Sequence, residues 1–117
     1  MNYLKLGAYL LWCLSAFAGA TTTQGEINHL LNYVETTQCK YERNGTIHDG
    51  KKAVGHIKTK YNYFEDDIKT AEDFIKYSAT KSTFSGDYYH IICDNKNPVK
   101  SKDWLLVELK KYRSAHP

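Results

Sequence analysis

Two cysteines constrain this chain more than any other feature, once its first twenty residues are set aside. Lys5 supplies a short positive lead and Leu6 to Phe17 is an apolar run. Ala18-Gly19-Ala20 then has the small-x-small spacing that signal peptidases cut after. The run falls short of the roughly 20 apolar residues that a membrane-crossing helix needs. The reading is an export signal over 1–20, cleaved after Ala20, with a retained N-terminal anchor as its alternative. Trp12 is too bulky for the position before a lipoprotein cysteine, which argues against that role for Cys13. Cys13 leaves with the signal, and Cys39 and Cys93 remain. An exported chain with two cysteines is most simply read as having one disulfide. The loop it closes would span most of the domain, for which the chain-entropy relation gives about 4 kcal/mol. Two free thiols or a redox pair are the alternative, although the C-x-x-C spacing of a redox pair is missing.

The expected mature chain, 21–117, is one domain's worth of residues with room for a modest core, and such a chain gains from a staple. Removing Lys5 takes sixteen basic residues to fifteen, against thirteen acidic ones, a formal excess of two. An excess that small and scattered is no footprint for nucleic acid. With the signal removed, no membrane span is expected. Eight of the ten tyrosines lie in 21–117, and they suit both a small core and a binding surface.

Hydrophobic spacing gives the element order. Thr23-Gln24-Gly25-Glu26 fits a capping box, and Ile27, Leu30, Leu31 and Val34 follow at helical spacing to about Thr37. Gln38 to Arg43 reads as a short strand ended by Asn44-Gly45, which tolerate the positive φ of a tight turn. Asp49 is the N-cap of a second helix with Ala53, Val54, Ile57 and Tyr61 inward. Thr70 caps a third, with Glu72 and Asp73 in its first turn and Ala71, Phe74, Ile75, Ser78 and Ala79 on its apolar face. Thr80 to Asp87 is a Ser/Thr/Gly loop, and Tyr88 to Cys93 is the strongest strand. Ser101 caps a last helix with Leu105, Leu106, Leu109 and Tyr112 inward. The predicted fold is α+β, in the order α-β-α-α-β-α, with a two-stranded antiparallel ribbon against the helices. A disulfide with its cysteines opposite one another would set Tyr41 across from Ile91 and Arg43 across from Tyr89.

Several segments together carry a resemblance. They are Arg43-Asn44-Gly45-x-x-His48, Ala53-x-x-His56-x-x-x-Lys60-Tyr61, Lys69-Thr70-Ala71-Glu72-Asp73-Phe74-Ile75, Ser82-Thr83-Phe84-Ser85-Gly86 and Tyr89. In this order they resemble a bacterial family of small exported proteins, the domain of unknown function 5329 family, over about residues 26–112. The resemblance implies a periplasmic or secreted protein and supplies no activity, cofactor or catalytic residue. Thr83, where a second serine is expected, and Tyr88, where a proline is common, depart from its pattern.

The polar members of these segments are the candidate ligand-binding residues: Arg43, His48, His56, Lys60, Glu72 and Ser82. A zinc site made of His48, His56 and Glu72 is the sharpest chemical option. The histidines lie eight positions apart, on the order of 12 Å along a helix, and neither H-E-x-x-H nor a metal-spaced cysteine pair is present. His56 also reads as a boundary histidine, and Glu72 as a first-turn acid that pairs with Arg43 or Lys60. Ser82 or Ser85 as a nucleophile lacks the G-x-S-x-G elbow. No catalytic set, metal site or cofactor is therefore assigned. The leading expectation is a non-enzymatic binding or interaction module of the cell envelope, with an envelope or extracellular partner. The alternatives are a small enzyme or metal-dependent protein using His48, His56 and Glu72, and an anion site formed by Arg43, Lys60 and a helix N-terminus.

Overall fold

The structure, a computed structural model, describes residues 21–117, so the expected signal lies outside the described residues. Helix α1 (Thr23–Thr36) leads into strands β1 (Lys40–Arg43) and β2 (Thr46–His48). Helix α2 (Gly50–Tyr63), a 3₁₀ turn (Glu65–Asp67) and helix α3 (Ala71–Ser78) follow. Strands β3 (His90–Ile92) and β4 (Val99–Lys100) and helix α4 (Ser101–Ser114) complete the chain. The α+β class and the order of the four helices are as expected.

The sheet has the order β2-β1-β3-β4 and is antiparallel throughout. Its central pair is the expected ribbon, with Tyr41 opposite Ile91 and Lys40 opposite Ile92. One step further along that register, Cys39 and Cys93 are bonded, with their Cα atoms 4.4 Å apart. The disulfide and the sheet register therefore specify one another. The ribbon gains two edge strands that the sequence reading lacked. Asn44 (φ 52°) and Gly45 (φ 79°) are both left-handed, as a two-residue hairpin turn demands, and they fold Thr46–His48 back onto β1. β2 and β4 escaped the pattern because they are three and two residues long and bury no alternating face. Ile47 and Val99 are 52% and 45% exposed.

The caps show which local signals decide. Asp49 accepts from the Lys52 amide to start α2, and Thr70 and Asp73 make a reciprocal capping box on α3. α1 starts one residue earlier than expected, because Thr22, not Thr23, accepts from the Gly25 amide. Glu26 is thereby free of capping and turns toward α4. Ser101 does not cap α4 by its side chain; its hydroxyl is bonded to the buried Tyr41 phenol. Ile27, Leu30, Phe74, Ile91, Leu105 and Leu109 fill the core between the helices and the inner face of the sheet. Leu106 was expected inward but is 39% exposed on the outer side of α4.

One glycine fixes where the site is built. A Cβ on Gly50 would lie 2.2 Å from the Val34 carbonyl oxygen. Only glycine lets α2 begin against the end of α1, directly after the hairpin.

Candidate functional site

The β1–β2 corner, α2 and the 82–86 loop bring most of the candidate residues together. Arg43, at the end of β1, reaches across to α2, where its Nη1 lies 3.1 Å from Nδ1 and 3.3 Å from Nε2 of His56. A guanidinium only donates, so the His56 nitrogen it meets must carry a lone pair, and His56 is neutral in this arrangement. His48, at the end of β2, sets its ring 5.3 Å from that of His56 at 57°. His48 thus folds back from the strand and approaches His56 despite their separation in sequence. Burial holds His56 below the usual histidine range, and the positive charges of Arg43, His48 and Lys52 add to this. Nε of Arg43 is buried without a partner. Among the described residues, no carboxylate lies within ion-pair distance of Arg43.

Two other candidates hold this face in place. Ser82 is buried, and its hydroxyl accepts from Asn44 Nδ2 at 3.3 Å and from the amides of Phe84 and Ser85 at 3.2 and 3.3 Å. Its oxygen serves as a loop cap, with no histidine among its hydrogen-bond partners. Ser85 returns a bond to Asn44 Oδ1 at 2.8 Å, so the hairpin corner and the loop are tied twice. Lys60 donates to the Lys81 carbonyl at 2.6 Å and lies over the Tyr89 ring, 5.1 Å from its centroid. That charge is spent on the loop's entry. Phe84, at the tip of the tied loop, is fully exposed.

Glu72 does not join this cluster. It meets Arg113 of α4 through both oxygens, at 2.7 and 2.9 Å, and Arg113 also grips Glu26 of α1 at 2.8 and 2.9 Å. The expected pairing of Glu72 with Arg43 or Lys60 is replaced by a clamp on three helices. Arg113 holds both carboxyls below the usual carboxylate range, and together they push the guanidinium upward. With Glu72 engaged there, among the described residues no three His, Cys, Asp or Glu side chains gather as a metal site would need.

Residues 21–113 match the Family of unknown function (DUF5329). The chain belongs to this family. It is also similar to the "Uncharacterized protein YfeK" of Salmonella typhimurium (strain LT2), 33% identical over 82 residues that cover 68% of each chain. No solved structure matches it.

In this family member Asn44, Ser85 and Lys52 join the site, although none was among the candidate ligand-binding residues. Asn44-Gly45 was visible as a turn, but nothing local shows that the asparagine amide reaches a loop some forty residues on. Lys52 is in the first turn of α2. It lies one helical turn before His56, and its charge bears on that ring.

Proposed function

We propose that this chain is a non-enzymatic binding module of the bacterial cell envelope, periplasmic or secreted. Its recognition face is the β1–β2 corner, the adjoining side of α2 and the 82–86 loop. The observation that carries this reading is the Arg43–His48–His56 cluster. It gathers positive and protonatable groups without a carboxylate, next to a scaffold whose other polar members are already bonded. Such a surface is costly to hold empty and is relieved by a partner of opposite charge. The disulfide suits an oxidising compartment. Among the described residues no helix is long and apolar enough to cross a membrane. The alternative built on His48, His56 and Glu72 has no convergent set, because Glu72 is held by Arg113.

The test is photo-crosslinking in the envelope of cells producing the full chain. A photoreactive residue is placed at Ile47 or Phe84 on the proposed face, and at Val107 or Lys110 on α4. We expect adducts from the first pair that fade when Arg43→Gln is added. Adducts from α4 alone, or adducts indifferent to Arg43, would overturn the assignment.

A further inference from the structure

The chemistry of the ligand follows from the cluster, and this step rests on the recognition face just described. We propose that Arg43, His48 and His56 form a proton-gated site for an oxyanion, a phosphate-like or sulfate-like group carried by the partner.

The size of the site limits what it can hold. Tyr41, Arg43, His48, Ala53, His56 and Tyr89 help to line a recess of about 10 Å³, close to the space that one water molecule needs. No whole metabolite fits, and its walls are almost wholly apolar, so the anion lies on the surface outside it. Arg43, His48 and His56 border it, and a guanidinium grouped with two imidazoles suits a multi-oxygen anion. Arg113 shows what a satisfied arginine looks like in this protein, with two carboxylates closing on it. Arg43 has only a neutral imidazole in that place.

The gate is the bond between Arg43 and His56. With His56 neutral, its lone pair occupies Nη1 of Arg43. A proton from solvent turns that nitrogen from acceptor to donor and sets two positive charges against each other, which frees Nη1. An oxyanion placed between them accepts from both and removes the repulsion. The charged groups facing His56 are Arg43 from β1, His48 from β2 and Lys52 from its own helix. The phenols of Tyr41 and Tyr89 line the recess, and α1 and α3 contribute no lining residue. Every charge bearing on His56 therefore disfavours its protonation until an anion arrives. By linkage, anion affinity rises as pH falls through the His56 titration, and bound anion raises the His56 pKa.

NMR of the histidine ring protons between pH 4.5 and 8, in sodium chloride and in sodium sulfate at matched ionic strength, tests this. Sulfate is the probe because it does not itself titrate in that window. The His56 midpoint is expected to move upward in sulfate. Sulfate affinity should be about tenfold greater per pH unit between the free and bound midpoints, as uptake of one proton requires. His29, His90 and His116 should not respond, and Arg43→Gln should abolish the sulfate response. The same His56 midpoint in both salts, or a shift shared with His29 and His90, would overturn the proposal. Vesicles with and without phosphatidylglycerol separate the sources. A shift with the anionic vesicles assigns a lipid headgroup, and a shift with sulfate alone assigns a soluble or polymer-borne oxyanion. A flat sulfate result beside intact crosslinks from Ile47 and Phe84 discards the oxyanion chemistry and keeps the recognition face.

Discussion

Arg113→Met should destabilise the protein mainly through one carboxylate. Glu26 has a side chain only 8% exposed, and two of its contacts run to Arg113. Thr21 supplies one further donor, at 2.7 Å. Stranding a buried charge by removing its partner costs roughly 3–5 kcal/mol, whereas an exposed ion pair contributes about 0–1 kcal/mol. Arg113 and Glu72 are 40% and 50% exposed, so solvent screens their pairing strongly. Glu26 carries the larger share, and the net cost at neutral pH should be about 2 kcal/mol. For a domain of this size that is a fall in Tm of roughly 8–16 °C. The pH dependence identifies the cause. Arg113 holds both acids below their unfolded value in the native state, so their contribution is present above roughly pH 4.5 and lost as pH falls through the native values. Urea unfolding of both proteins at pH 7 and pH 3 should show the difference shrinking to under about 1 kcal/mol in acid. Adding Glu26→Gln should restore about half of the loss at pH 7, because no charge is then stranded. An equal cost at both pH values would refute this reasoning and place the effect in the packing of the arginine stem.

Three further outcomes follow from the fold. A chain lacking residues 1–20 should show no titratable thiol on denaturation without reductant, and Cys39→Ala with Cys93→Ala should cost about 4 kcal/mol in chemical unfolding. Two reactive thiols would remove both the staple and the register. Gly50→Ala must push α2 away from the Val34 carbonyl, and a loss of roughly 2–4 kcal/mol is expected by thermal or urea unfolding. Phe84→Ala should leave Tm within about 1 °C of the parent, since the ring is fully exposed, while Phe74→Ala in the core should cost about 3–5 kcal/mol.

What could be read from the sequence was whatever local chemistry determines. Asp49 and Thr70 cap helices because a short oxygen-bearing side chain before an amphipathic run does so almost anywhere. Ile27, Leu30 and Val34 are buried because their spacing leaves them a single face. The central strand register was legible for a different reason: pairing Cys39 with Cys93 leaves one antiparallel alignment, and it puts Tyr41 opposite Ile91. β2 could have been found, since Asn44-Gly45 followed by Thr46 and Ile47 is a strong hairpin signal, but a three-residue strand with an exposed isoleucine carries no burial pattern. The partners of charged groups were the least legible part. Glu72 is a first-turn acid, as expected, yet its arginine comes from the far end of the chain, and no spacing rule links positions 72 and 113. The site was half visible for the same reason. Arg43, His48 and His56 were legible as candidate residues, His56 also as a boundary histidine, whereas their convergence depends on the hairpin and on Gly50.

The most direct measurement is the titration midpoint of His56, followed by NMR in the protein without added anion and again in Arg43→Gln. Burial, with the uncompensated charge of Arg43 added to it, gives a midpoint below the ordinary histidine value of about 6.5, rising when the guanidinium is removed. A midpoint at or above that value, unmoved by Arg43→Gln, would mean that the charge is already compensated and that this face has no vacancy for an anionic partner.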